Sequence, residues 1–292
     1  MDIALHLGVH CTDDERLLRA LLKNRSQLAD AGVALPASRA YRQMLPKLVR
    51  SLRGSPAGGD VQEMVRDALF GETRAERLVL SHENLACYPR NAVGPNGLYP
   101  YLHQRVAAYA NIFPGDDCTF FLALKNPAVL VPEVLSRAGA NDREGHLGGI
   151  DPIDLSWGPV VKRMLEAVPD ARLVLWCNED TPLIWPELLH AVAGLDGTAS
   201  LEGEDDMLTL LLSEEGLAAL RTHLAEAKGP FTQSERYEIT ASFLERYARP
   251  EEMEASIDMP GWSADMVAEM TEIYDEDVAE AAALPGVSFL LP

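Results

Sequence analysis

Short, almost wholly apolar runs recur along this chain, and helical stripes separate them. The runs are Ile3-Ala4-Leu5-His6-Leu7, Arg77-Leu78-Val79-Leu80-Ser81, Thr119-Phe120-Phe121-Leu122-Ala123-Leu124 and Arg172-Leu173-Val174-Leu175-Trp176. Each is too short for a helix and lacks the alternation of a half-exposed strand. Such runs fit strands buried on both faces, as in parallel sheets. Between them, apolar residues fall at helical spacing. Leu17, Leu18, Leu21, Leu22 and Leu28 follow the first run; Leu98, Leu102, Val106 and Tyr109 share a face of a helix predicted over Leu98–Ile112. Trp157, Val160, Val161, Met164, Leu165 and Val168 form a third stripe, which Ser156 is placed to cap. This order predicts a three-layer α/β fold, with a parallel sheet covered on both faces through right-handed crossovers.

From residue 181 the pattern turns mostly helical. Thr181-Pro182 is a cap with proline at the first helical position. Thr232 and Glu235 make a capping box, and Ser263 can cap a stripe of Met266, Val267, Met270, Ile273 and Tyr274. Gly286 to Leu291 is apolar enough for a short edge strand. The expectation is a single domain over 1–292 in which 181–292 is a mostly helical subregion, either set apart or laid over the sheet. Residues 51–60 read as a Gly/Pro/Ser loop, and Gly139 to Gly149, with His146, as a lid or a plain connection.

Charge narrows the function classes. Forty-five acidic against 25 basic residues give a net charge of −20. Such a surface repels nucleic acid and anionic lipid, and no basic stripe offsets it. Cys11, Cys87, Cys118 and Cys177 show no C-x-x-C pairing, which argues against a zinc ribbon or a disulfide framework and for a reducing compartment. No apolar run has the length of a membrane span or of a signal-peptide core, so the expected location is the cytoplasm.

The turn after the first run carries the first candidate chemistry. A strand, a turn with Gly8 and a helix is the arrangement that builds anion sites at helix N-termini. Thr12 and Glu15 have capping-box spacing, so the orphan amides there can be satisfied from within. Leu5-His6-Leu7-Gly8-Val9-His10-Cys11-Thr12 resembles the start of bacterial sulfotransferase-like proteins, which read His-x-Gly-x-His-Lys-Thr-Gly-Thr-Thr. The likeness runs by motif through Ile3 to Pro36, Leu78 to Arg105 and Thr119 to Ala138.

The resemblance implies a P-loop-type sheet. It also implies a site for the donor 3′-phosphoadenosine-5′-phosphosulfate (PAPS) at Gly8, His10, Cys11, Thr12 and Lys125. Cys11 stands where the family has its lysine, and Asp13, Asp14 and Glu15 stand where it has Gly-Thr-Thr. Lys125-Asn126-Pro127 stands where the family has Arg-Asn-Pro, and Glu133 where a serine would complete the 3′-phosphate grip. Lysine keeps the charge but not the bidentate fork. Asn126 and Pro127 also read simply as the cap and first residue of a helix, with Pro132 inside it. His82 and Glu83 fall where the family places its catalytic base.

Three functional expectations follow. The first is a sulfotransferase-like protein impaired in binding PAPS, acting as a pseudoenzyme or binding protein. The second is an active sulfotransferase, with His82 or Glu83 taking the proton of a hydroxyl or amine acceptor on a small molecule, sugar or lipid. The third is a metal site at His6, His10 and Cys11, whose imidazoles and thiolate are zinc-ligand types.

Overall fold

The apolar runs do become the strands of one sheet. The computed structural model describes residues 1–70, 75–140, 143–197, 199–226, 231–253, 257 and 259–292. Among the described residues six strands form the main sheet: β1 (Asp2–His6), β2 (Val33–Ala34), β3 (Arg77–Ser81), β4 (Asp117–Leu124), β5 (Arg172–Cys177) and β6 (Val287–Leu290). They lie in the order β2-β3-β1-β4-β5-β6, and every pairing is parallel. β1 is central, with Leu5 opposite Leu80 on one side and Phe120 on the other.

Alternate side chains feed two cores. Ile3, Leu5, Leu78, Leu80, Phe120, Leu122, Leu173 and Leu175 point into one, against α2 (Leu102–Ile112), α3 (Pro127–Arg137), α4 (Gly158–Ala167) and α6 (Ala264–Ala282). Ala4, Val79, Phe121, Ala123 and Trp176 point into the other, against α1 (Arg16–Lys23) and α5 (Thr181–Ala193). The chain is therefore α/β, with helices on both faces of a parallel sheet. A smaller cluster of Leu208, Leu212 and Leu220 with Phe243 and Leu244 holds the helices between α5 and α6 together. That helical stretch returns to the sheet, because β6 pairs with β5 after α6. Among the described residues no helix is long and apolar enough to cross a membrane.

Local signals held where the backbone was free to follow them. Thr232 and Glu235 form their capping box, Ser263 accepts from the Met266 amide, and Asn126 accepts from Ala128 with Pro127 at the first turn. Helix α3 continues through Pro132. Other expectations need correction. Leu98 belongs to a two-stranded hairpin, Val93–Gly94 with Gly97–Leu98, and α2 begins only at Leu102, beyond the break that Pro100 imposes. Thr181 does not cap α5; its hydroxyl accepts from the Trp176 indole, and Asp180 is the N-cap residue. Residues 141 and 142 of the expected 139–149 loop lie outside the described residues, and Arg143–Leu147 is a short helix.

Ser156 makes no cap for α4. Two amides at that helix start that lack an intrahelical partner, those of Trp157 and Gly158, both donate to the carboxylate of Asp277 on α6. A residue far along the chain thus closes the helix and joins two helices of one face. Asp277→Ala is expected to lower unfolding free energy by about 1–2 kcal/mol, while Ser156→Ala stays within about 0.5 kcal/mol. Urea unfolding followed by circular dichroism checks the ranking, and equal losses would refute it.

Candidate functional site

The helix after β1 packs on one face of the sheet and the helix after β4 on the other. The crevice at the C-terminal ends of β1 and β4 is therefore a topological switch point, where open α/β sheets hold ligands. The turn from β1 sits there. Gly8 has φ of +50°, and a Cβ on it would stand 3.1 Å from the Cα of Glu83, so glycine lets the turn pass the exit of β3. Three further residues adopt left-handed backbone without being glycine: Cys11 (φ 60°), Asp14 (φ 47°) and Glu15 (φ 62°). Such conformations cost about 1–3 kcal/mol each and persist only where the surroundings hold them.

Those surroundings are the chain's own ionic groups. The Thr12 hydroxyl turns back to the Val9 carbonyl at 2.6 Å, and Glu15 makes no side-chain cap. The predicted Thr12–Glu15 box is thus replaced: left-handed Glu15 cannot reach back, and Asp13 accepts from the Leu17 amide at 2.9 Å instead. Lys125, its side chain 9% exposed, donates to the Cys11 carbonyl and to Glu133, both at 2.5 Å. Arg137 donates to Glu83 at 2.5 Å and to Asp14 at 2.6 Å.

Arg137 was not among the residues expected from sequence. Its signal is its place four residues after Glu133 on α3, which puts both side chains on one helix face. The open cleft at these groups has a volume of about 860 Å³; Arg16, Ser136 and Leu210 also line it. Burial, with Glu133 and Asp14 nearby, raises the Cys11 thiol to about 11 against the pull of Arg137 and Lys125. At neutral pH the uncoordinated thiol is therefore protonated, the less nucleophilic form.

The histidines do not converge. His6 bonds through Nδ1 to the Ser81 hydroxyl at 2.8 Å and stacks on Trp176. His10 is fully buried; the Tyr99 hydroxyl accepts from its amide at 3.1 Å and meets its Nδ1 at 2.9 Å. Among the described residues no group of three or more His, Cys, Asp or Glu is placed to hold a metal ion. His82 accepts at Nδ1 from the Asn84 amide at 3.0 Å, so its neutral ring carries the proton on Nε2. Nε2 is then a donor, 3.8 Å from Glu15, and has no lone pair with which to take a substrate proton. His82 lines a separate, smaller cavity, while Glu83 is held by Arg137 at the cleft. The structure thus brings Gly8, Cys11, Thr12, Lys125 and Glu83 together at the sheet ends, while none of His6, His10 and His82 lines the cleft.

Comparison of the chain with protein-family models, curated proteins and solved structures finds no match.

Burial lowers His10 to about 4, against 6.5 for the free side chain. The unfolded chain binds that proton first, so stability is full above about 6.5 and falls as pH drops towards about 4. His10 alone accounts for about 3 kcal/mol across this window. His6 and His82, also lowered by burial, act in the same direction. Urea unfolding at stepped pH is expected to show the fall, and His10→Gln to flatten it; an unchanged profile in the variant would exclude His10 as its source.

Proposed function

We propose that this chain is a sulfotransferase-like protein whose donor seat is occupied by its own carboxylates, and that it serves as a binding or regulatory protein. One observation carries the reading: Lys125 and Arg137, which close on the turn after β1 from β4 and α3, are already engaged, Lys125 by Glu133 and Arg137 by Asp14 and Glu83. A phosphosulfate entering the cleft would face Asp14, Glu133 and Glu252 against Lys125, Arg137 and Arg16. Like charges at about 4 Å repel by about 4 kcal/mol at the effective dielectric of a protein surface. The Leu17 amide, which an anion at the helix start would use, is already taken by Asp13. The residues present therefore do not fit PAPS, and no transfer step is derived through it.

The alternative of an active transferase draws on the size of the cleft, about 860 Å³, within the range of ligand sites. It lacks a base. The free lone pair of His82 is spent on Asn84, and Glu83 is engaged by Arg137.

Titration calorimetry with adenosine 3′,5′-bisphosphate tests the proposal. The wild type is expected to give no heat beyond dilution, and labelled PAPS with a pool of sugar and lipid acceptors no transferred label. Micromolar binding would sink the reading. The double variant Glu133→Ser with Asp14→Asn frees Lys125 and leaves Arg137 with Glu83 alone, and is expected to tighten nucleotide binding by about tenfold or more, about 1.4 kcal/mol.

A further inference from the structure

The cavity that His82 lines differs in character from the cleft. It has a volume of about 230 Å³ and is walled by Arg42, His82, Asn84, Tyr88 and Arg105, with Gln43 and Pro46. No carboxylate lines it, in a chain whose acidic residues outnumber the basic 45 to 25. Among the described residues neither Arg42 nor Arg105 is paired with a carboxylate, whereas Lys125 and Arg137 in the cleft both are. Arg105 has the Tyr109 hydroxyl and the Cys87 thiol beside it, and neither carries a charge at neutral pH. Glu15, 47% exposed, lies 3.8 Å from His82 Nε2, and Glu83 lies between His82 and Asn84 in the chain with its carboxylate held by Arg137; neither lines the cavity.

Three elements bring these cations together, and each is fixed. Arg42 ends the short helix Ser38–Tyr41, and buried Tyr41 locks that helix to the exit of β3: its hydroxyl donates to the Ser81 carbonyl at 2.8 Å and accepts from the Ser81 amide at 3.1 Å. Arg105 stands on α2, whose buried face is part of the core. His82 is oriented by the Asn84 amide, which leaves Nε2–H as a donor. The wall therefore offers two guanidinium forks on anchored backbone and an oriented imidazole donor, a set suited to oxyanions. Tyr88, half exposed at the rim, adds an aromatic surface.

We propose that this cavity is a binding site for a small organic anion, its phosphate, sulfate or carboxylate head held by Arg42 and Arg105 and its apolar remainder resting on Tyr88. The volume lies below the about 300 Å³ at which drug-sized sites begin, so the site takes a headgroup with a short tail and not a nucleotide. The inference is independent of the state of the cleft.

Phenyl phosphate, benzoate and inorganic phosphate, titrated into the full chain by calorimetry, test it. Saturable binding of at least one probe is expected, and the preferred probe identifies the headgroup class. Arg42→Gln and Arg105→Gln are each expected to weaken that binding about tenfold, with Arg42→Lys retaining more of it than Arg42→Gln, because charge survives there without the fork. Lys125→Gln is expected to leave it unchanged. Thermal melts of each variant establish that the fold is kept, and Arg42, being exposed, can be replaced without disturbing the core. Absence of saturable binding at millimolar probe, or binding indifferent to Arg42 and Arg105, overturns the proposal. Binding lost in Lys125→Gln and kept in Arg42→Gln would move the anion to the cleft and overturn it as well; the nucleotide titration, a separate measurement, decides the reading of the cleft.

Discussion

A nearly buried ammonium organises the sheet ends. Lys125 leaves β4 and reaches the turn after β1, where it holds the Cys11 carbonyl on one side and Glu133 on the other. A charge this enclosed is tolerated only when it is paired and hydrogen bonded. Satisfying it fixes where the turn lies, and the turn in turn requires left-handed backbone at Cys11, Asp14 and Glu15. Arg137 ties Asp14 to Glu83 and so couples the same turn to the exit of β3. The three central strands, β3, β1 and β4, thus meet at their C-terminal ends through one ionic web. The strain stored in the turn is supported by groups that elsewhere in such a cleft could hold a ligand.

The layered fold was legible because its signal is hydrophobic and local. Runs such as Thr119 to Leu124 can be buried only on both faces, and stripes such as Val160, Val161 and Met164 only on one, so the sheet and its cover follow from the order of residues. The short strand Val33–Ala34 carries no such signal; it is two residues long and is set by pairing with Arg77 and Leu78. Caps were legible where the amide and its acceptor are close in sequence, as at Thr232 and Ser263. They were not where a distant residue competes, and Asp277 reaching Trp157 and Gly158 is invisible to any local reading.

The site was legible in position and not in wiring. Gly8, Cys11, Thr12 and Lys125 do gather at one crevice. What sequence spacing does not carry is which partner each charge selects. Thr12 and Glu15 satisfy a capping template, yet the left-handed turn directs one hydroxyl to Val9 and leaves the amide to Asp13. His82 has the residue type of a base, but the Asn84 amide two residues on decides its tautomer and makes it a donor. Arg137 and Arg105 gain meaning only when α3 and α2 fold over the sheet.

Net charge alone is a poor guide to what this surface can bind. A field from −20 opposes any anion at long range, but it is screened over about 8 Å at physiological ionic strength. Within that distance the local set of groups decides. At the ends of the same sheet the chain has placed carboxylates against Lys125 and Arg137 at the first turn, and has left Arg42 and Arg105 without carboxylate partners beside β3. The cleft is larger yet internally compensated, so an anion entering it must displace a carboxylate and then remain beside it. The small cavity needs no displacement of a lining acid: Arg42 and Arg105 carry no carboxylate partner, and the Asn84 amide orients His82, whose Nε2 has only the half-exposed Glu15 near it at 3.8 Å. Preorganised, uncompensated donors therefore favour the smaller site for an oxyanion even though it encloses far less space.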